Sequence, residues 1–278
     1  MQKSIRSDKL FLFILNIILI IFSIACVFPF IMLVSSSLTD EMTLLWYGYN
    51  LFPRKFSVEA YQFIFKTNTI YRAYGVTTFT TIIGVILSMI VTCGLAYSLA
   101  QKNLRYAGKI SLFMYITILF SGGLVPYYIL ISKYLHMKNS IWALIIPGIL
   151  SPWYVYMLRN FFSTVPASLA ESAKIDGAND IYILFKIVLP VSLPAIATIS
   201  LFYALGFWNE WFRALLFIEK PKLYPLQYII MAIIRNVDFV NSMVKNGTQD
   251  LQTVVPAFSV RMATTVVTIG PIIFLYPM

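Results

Sequence analysis

The sequence predicts an all-α membrane protein: six transmembrane helices, plus one short polar helical insert on its basic side. Three observations lead there. Of 278 residues, 59% are hydrophobic and 12% charged, whereas a soluble domain carries about 25% charged residues. Leu10 to Thr39, Ala73 to Gln101, Ile110 to Ser132, Asn139 to Leu158, Ile187 to Asn209 and Met262 to Met278 contain no Lys, Arg, Asp or Glu. All but the last reach the roughly 20 apolar residues that cross a bilayer, and the last reaches it if Val254 to Val260 belongs to the same helix. Finally, the net charge is +10; the long connections carry basic residues too, among them Arg54, Lys55, Lys220 and Lys222, so the short basic segments decide the orientation. The tail 1–9 holds Lys3, Arg6 and Lys9, and the short connection 102–109 holds Lys102, Arg105 and Lys109. Short basic segments stay in the cytoplasm, so the charge is read as membrane orientation rather than nucleic-acid binding. Both termini are expected inside.

The elements follow in order. After the tail 1–9, the transmembrane domain is read as 10–278. Helix 1 covers 10–34. Its apolar stretch is far longer than the core of a signal peptide, and Ser35-Ser36-Ser37 is a poor cleavage site, so a retained helix is expected. An external segment at 35–72 holds Trp46, Tyr47 and Tyr49, residues that anchor at membrane interfaces or meet an outside partner. Helix 2 covers 73–100 and helix 3 covers 110–131. Helix 3 contains Ser121-Gly122-Gly123 and Pro126-Tyr127-Tyr128. Helix 4, at 140–160, contains Pro147-Gly148 and Pro152-Trp153-Tyr154. Gly and Pro at membrane depth free backbone groups that neighbours or a wet cavity must satisfy, so these breaks suit either a central pathway or close packing. Helix 5 runs 187–212 and ends in Trp208-Asn209-Glu210-Trp211-Phe212-Arg213. A second external segment covers 218–253. Its apolar stretch Leu223 to Ile234, 12 residues, is too short to span. Helix 6 covers 254–276. Cys26 and Cys93 lie in apolar runs and read as packing residues. With a single histidine, His136, no metal cluster is expected.

The polar insert at 163–190 interrupts this pattern. Val165-Pro166 can open a helix, and Ala167, Ala170 and Ala173 form a small-residue stripe that lets another surface approach. Ser168 and Glu171 match a capping box. Gly177 suits a left-handed helix stop. Asn179 or Asp180 can cap a second helix from Ile181, with Ile181, Leu184, Phe185 and Val188 on one face and Pro190 in the first turn of helix 5. A helix, hinge and helix on one membrane face suit docking to a soluble partner, though a self-stabilised loop reads the same way.

Glu171-Ser172-Ala173, three residues, Gly177, nine residues, Ile187, one residue, Leu189-Pro190 resembles the EAA loop of ABC importer permeases. Ile175-Asp176-Gly177-Ala178 with Trp208-Asn209 resembles the carbohydrate branch. Ser-Gly-Gly-Leu-Val-Pro at 121–126, Arg159-Asn160-Phe161-Phe162 and Tyr224-Pro225-Leu226-Gln227 are similar to the subgroup importing polysaccharide fragments. Ser172 replaces the usual second alanine. Family members continue past helix 6 into a basic tail, while this sequence stops at Met278.

The resemblance implies a bacterial cytoplasmic-membrane permease with a cytoplasmic coupling helix. The implied partners are a homologous second permease, cytoplasmic ABC ATPases, an extracytoplasmic solute-binding lipoprotein and an oligosaccharide. It implies ATPase coupling through Glu171, Ser172, Ala173, Asp176, Gly177, Leu189 and Pro190. Candidates for the substrate path are Tyr127, Tyr128, Trp153, Tyr203, Trp208, Asn209 and Arg213, because aromatic faces stack on sugars and Asn both donates and accepts. Packing is the alternative role for each aromatic. Glu210 and Arg213 are spaced to pair. Gly108-Lys109 lacks the rest of a phosphate loop, so no catalytic residue and no cofactor is assigned to this chain; ATP and Mg belong to the partner ATPase. Two alternatives stay open: a permease for peptides or amino acids, and a secondary transporter or channel. The second is disfavoured because such carriers keep ionisable groups in the membrane.

Overall fold

The computed structural model describes residues 2–66, 68–101, 104–233, 235 and 257–275. The later part of the second external segment and the first residues of the expected helix 6, 236–256 together, lie outside them. The fold is all-α, and among the described residues the only β pairing is an isolated bridge between Thr39 and Phe56. The chain divides into two units, Met1–Asn68 with Ile230–Met278, and Thr69–Ile229.

In the first unit, α1 (Gln2–Ser37) packs along α15 (Ala257–Leu275). Phe11–Ser37 is continuous, 27 residues at mean hydropathy 3.1, and its side chains are exposed along most of its length, as suits a lipid-facing span. Two short helices, α2 (Glu41–Tyr47) and α3 (Glu59–Lys66), also contact α15. Asp40 caps α2: its carboxylate accepts from the Thr43 N–H at 3.3 Å and pairs with Lys55 at 3.4 Å. Buried Glu41 takes the N-terminal donors of α15, accepting from Phe258 N and Ser259 N, both at 2.8 Å, and from Ser259 Oγ at 2.6 Å. A carboxylate there satisfies orphan N–H groups and opposes the helix dipole.

The second unit is built on α4 (Asn68–Ala100), the other continuous span. Thr77, Thr80, Thr81, Gly84, Ser88, Thr92 and Ala96 are buried at three- and four-residue spacing. This small-residue stripe brings backbones close in a membrane. Phe207 uses it: a Cβ on Gly84 would lie 2.6 Å from the Phe207 ring.

The spans expected at 110–131, 140–160 and 187–212 are not continuous. The first is α5 (Ala107–Leu119) and α6 (Leu124–Ile129), the latter prolonged by a π turn to Tyr134, bent by 113°. Gly123 at φ +82° makes that corner, a conformation open to glycine. The second is α7 (Trp142–Ile145), a 3₁₀ turn Ile146–Gly148 and α8 (Pro152–Phe162). The third breaks at Ser192 by 88°. There α10 (Asp180–Ile183), a π turn Leu184–Val188 and α11 (Leu189–Val191) meet α12 (Leu193–Trp208). Pro194, not Pro190, lies in the first turn of α12. Two prolines four residues apart remove two helical donors and crowd the preceding carbonyls, which the π turn and the bend absorb. α13 (Phe212–Phe217) and a helix over 226–233, α14, complete the order.

Candidate functional site

The insert folds as a helix pair about a glycine. α9 (Ala167–Ile175) starts after Pro166, which sits at the cap rather than inside the first turn. Ser168 is therefore already helical, and the expected capping box does not form. The helix ends in a paired C-terminal motif. The Ala178 N–H donates to the Ala173 carbonyl at 2.9 Å and the Gly177 N–H to Lys174 at 3.1 Å, with Gly177 at φ +85°. These are the two bonds of a Schellman stop. Asn179 then caps α10, its Oδ1 accepting from the Tyr182 N–H at 2.8 Å. Lys174 reaches across the glycine to Asp180 at 3.0 Å; the Asp180 carboxylate holds the lysine protonated above its ordinary range.

Glu171, Ser172, Asp176, Gly177 and Pro190 are exposed. Ala173 and Leu189 are half-buried, and with Ala170 and Ala178 they pack on the unit's own core of Val155, Leu158, Ile183 and Val188. Of the alanine stripe, Ala170 and Ala173 serve close approach within the chain, while Ala167 stays exposed. The rest of the helix is free: Ile175 is 87% exposed and Leu169 43%. The second helix divides likewise. Leu184 and Val188 are buried, while Ile181 and Phe185 are exposed. The insert therefore offers apolar side chains and carboxylates on a face its own core does not use.

The path candidates differ in burial and in partners. Tyr203 is buried in the core. Its hydroxyl shares a hydrogen bond with Thr92 Oγ1 at 2.8 Å and accepts from the Ser151 N–H at 3.1 Å, and its ring meets Tyr154 edge-on at 4.8 Å. Arg213 forms an ion pair with Glu210 at 2.5 Å and donates to the Leu144 carbonyl at 2.8 Å. Both partners are largely buried, and the guanidinium occupies the space a side chain on Gly148 would need.

Tyr127 and Tyr128 are half-buried and flank Phe217, edge-on at 5.6 Å and stacked at 5.8 Å. Tyr127 and Phe212 also line a cleft of about 620 Å³ with Ser121, Gly122 and Gly123 at the α5–α6 corner. Trp153 is exposed at the start of α8. Trp208 is buried and meets Tyr74 edge-on at 6.4 Å. The exposed Asn209 donates to the Leu205 carbonyl and accepts from Gln227 Nε2, both at 2.9 Å. Gln227 and the residues around Asn139 did not stand out as site residues in the sequence. Asn139, at φ +59°, accepts from Glu219 N and Lys220 N through Oδ1 and donates through its own N–H to the Phe217 carbonyl. Lys138 pairs with Glu219 at 2.6 Å. The only sequence signal for Gln227 was its place in the Tyr224–Gln227 motif.

A helical membrane unit with broken spans, buried ion pairing and an exposed glycine-hinged helix pair is the architecture of a transporter's membrane subunit. No protein-family model matches the chain. It is 37% identical to the polygalacturonan/rhamnogalacturonan transport system permease protein YtcP of Bacillus subtilis over 272 residues, 97% of this chain and 93% of that protein. It is 34% identical to protein LplC of the same organism, over 90% of this chain and 84% of that protein. A bacterial ABC transporter involved in import of the acidic polysaccharide alginate has a chain that superposes with TM-score 0.83 at 27% identity, covering 98% of this chain and 96% of that one. The chain belongs to the ABC importer permease subunits of the carbohydrate type. As such a subunit it is a multi-pass, non-catalytic membrane protein, and ATP hydrolysis lies in a separate chain.

Proposed function

We propose that this permease imports oligosaccharide fragments of uronate-containing polysaccharides across the bacterial cytoplasmic membrane. It does so with a homologous second permease, two cytoplasmic ABC ATPases that hold ATP and Mg, and an external solute-binding lipoprotein. The observation that carries the reading is the glycine-hinged insert. Its Schellman stop, Asn179 cap and Lys174–Asp180 clasp make a rigid two-helix unit. Its inner face is fixed to the core through Ala170, Ala173, Ala178 and Leu189, and its outer face is free. A rigid element packed on the transmembrane helices and open on its other face transmits displacement in either direction.

In this reading Glu171, Ser172, Asp176, Gly177 and Pro190 are exposed toward the ATPase, while Ala173 and Leu189 seat the insert on the spans. ATPase closure moves the insert, and the bent helices around Ser192 and Gly123 change which side is open. The similarity to permeases named for polygalacturonan and to an alginate importer supports an acidic substrate. Arg213 is not the residue that reads it, because Glu210 and the Leu144 carbonyl already hold its guanidinium. Tyr127, Tyr128, Trp153, Trp208 and Asn209 line the path, and Tyr203 braces it.

The test is purification of the chain from its native membrane without cross-linker, followed by reconstitution. An ATPase and a second permease are expected to co-purify, and labelled oligogalacturonide to enter proteoliposomes only with ATP and the binding protein. Glu171→Ala and Gly177→Val together should abolish uptake and leave binding-protein affinity for the saccharide intact. Uptake at wild-type rate in both single variants would overturn the coupling assignment. Uptake of peptides in place of saccharides would move the substrate class.

A further inference from the structure

We infer that Gln227 is a saccharide-contacting residue, the outer end of a polar relay that runs through Asn209 and reads a pair of neighbouring sugar hydroxyls. This deepens, and rests on, the saccharide-import reading above.

The position is rigid. Pro225 and Leu226 are fully buried, and the Leu226 N–H donates to the buried Thr77 Oγ1 of α4 at 2.9 Å. Gln227 thus stands at the start of α14 on anchored backbone, while its side chain is only half-buried. The relay has a fixed direction. The Leu205 carbonyl can only accept, so Asn209 must present its amide nitrogen there, at 2.9 Å. Its Oδ1 then faces Gln227, which must present Nε2, also at 2.9 Å. Three groups are left over: Gln227 Oε1, an acceptor, and one further N–H on each amide. An acceptor beside donors on held planar amides matches vicinal hydroxyls, each of which both gives and takes a hydrogen bond.

A neighbouring residue in the chain also keeps an unused donor. Trp208, next to Asn209 in the chain, is 6% exposed, and its Nε1–H finds no acceptor among the described residues. A buried indole donor is ordinarily satisfied. Oriented polar groups on fixed elements are the composition of a small-ligand site. The competing role for Gln227 is a simple tie between α12 and α14, which would affect folding and assembly without affecting saccharide affinity.

The experiment measures uptake kinetics of a labelled galacturonic acid trimer and a neutral arabinose trimer by the complete transporter in proteoliposomes. The variants are Gln227→Met, which keeps length but loses every polar atom, and Gln227→Glu, which keeps an acceptor but loses the amide donor. Lys222→Gln, at an exposed position, is the control. Loss of one or two hydrogen bonds is expected to raise KM three- to tenfold, with kcat little changed. Gln227→Glu should also lower the preference for the acidic trimer over the neutral one, by repulsion.

Unchanged KM in both variants would overturn the assignment. So would a fall in kcat and in the yield of assembled complex without a KM change, since that is the behaviour of a tie. If the wild type hydrolyses ATP but moves neither trimer, the import reading fails and the subsite falls with it. If the wild type moves them and the variants match it, only the subsite falls.

Discussion

Gly177 and Gly84 are both intolerant of a side chain, for opposite reasons. At Gly177 there is open space: nothing lies within 4 Å of where a Cβ would be, and the constraint is φ +85°. A non-glycine residue in that conformation costs about 1–2 kcal/mol. Gly177→Ala should therefore loosen the Schellman stop without a clash, and exchange of the Ala178 amide should rise roughly 5- to 30-fold. Unchanged exchange there would mean that the insert is held by its packing alone. At Gly84 the backbone is ordinary helix and the constraint is the Phe207 ring, 2.6 Å from a Cβ. Overpacking of this kind costs about 1–3 kcal/mol. Gly84→Ala should lower the thermal midpoint of the detergent-solubilised protein, and Phe207→Leu in the same chain should restore part of the loss. Failure of that rescue would show that the two residues are not coupled.

At the scale of elements, the clasp between 138–140 and 217–220 is a pH-defined structure. Side-chain hydrogen bonds from Lys138 and Asn139, with the lysine charge, hold the Glu219 carboxyl below its ordinary range. The Glu219 hydrogen bond and charge hold Lys138 above its own. Glu219 therefore stabilises the clasp above the ordinary Glu value of about 4.3 and loses that effect as pH falls through its lowered pKa. Lys138 stabilises it below the ordinary Lys value of about 10.4 and loses that effect as pH rises through its raised pKa. Protection of the Glu219 amide, which Asn139 Oδ1 holds at 2.6 Å, should be flat between those limits once intrinsic exchange is divided out. It should fall only on the acid and alkaline flanks, and Lys138→Met should remove the alkaline flank. Nothing in the sequence announced this clasp, because its partners are 80 residues apart and each is an ordinary surface residue. The insert was legible because its logic is local: Gly177, Asn179 and the alanines lie within one another's reach along the chain. The run at 110–131 was legible as apolar with a loosened backbone at Ser121-Gly122-Gly123, while that at 187–212 was legible as apolar but not as bent. Hydropathy counts side chains, whereas the bends at Gly123 and Ser192 come from backbone freedom and from paired prolines. For the path, sequence put Asn209 ahead of Arg213 and spaced Arg213 to pair with Glu210; tertiary contacts add that the Leu144 carbonyl also holds Arg213 and that Gln227 extends from Asn209.

For the whole molecule, orientation is what makes the two functional regions act together. In the proposed function the insert faces the ATPases, and a cytoplasmic tail 1–9 puts the segment that follows Phe11–Ser37 outside if that span crosses once. The short basic stretches 1–9 and 102–109 argue for that arrangement, since short Lys- and Arg-rich connections resist translocation. The first span contributes no charge of its own: Phe11–Ser37 contains none, so the flanking residues decide its direction. Cysteine accessibility tests this directly, because the native thiols are few. Cys26 is exposed along α1 and Cys93 is buried in α4; replaced by Ser and Ala, they leave a silent background. A membrane-impermeant maleimide added to intact spheroplasts should label Asn50→Cys at once. It should label Asp176→Cys only after the membrane is opened, and addition of the ATPase subunits should then slow that reaction, because position 176 lies on the exposed face of the insert. Labelling of Asp176→Cys from outside would invert the topology, and with it both the coupling assignment and the placing of Gln227 along the route of entry. Labelling from inside with no protection by the ATPase would keep the topology and move the docking face to the Ile181–Phe185 side of the insert.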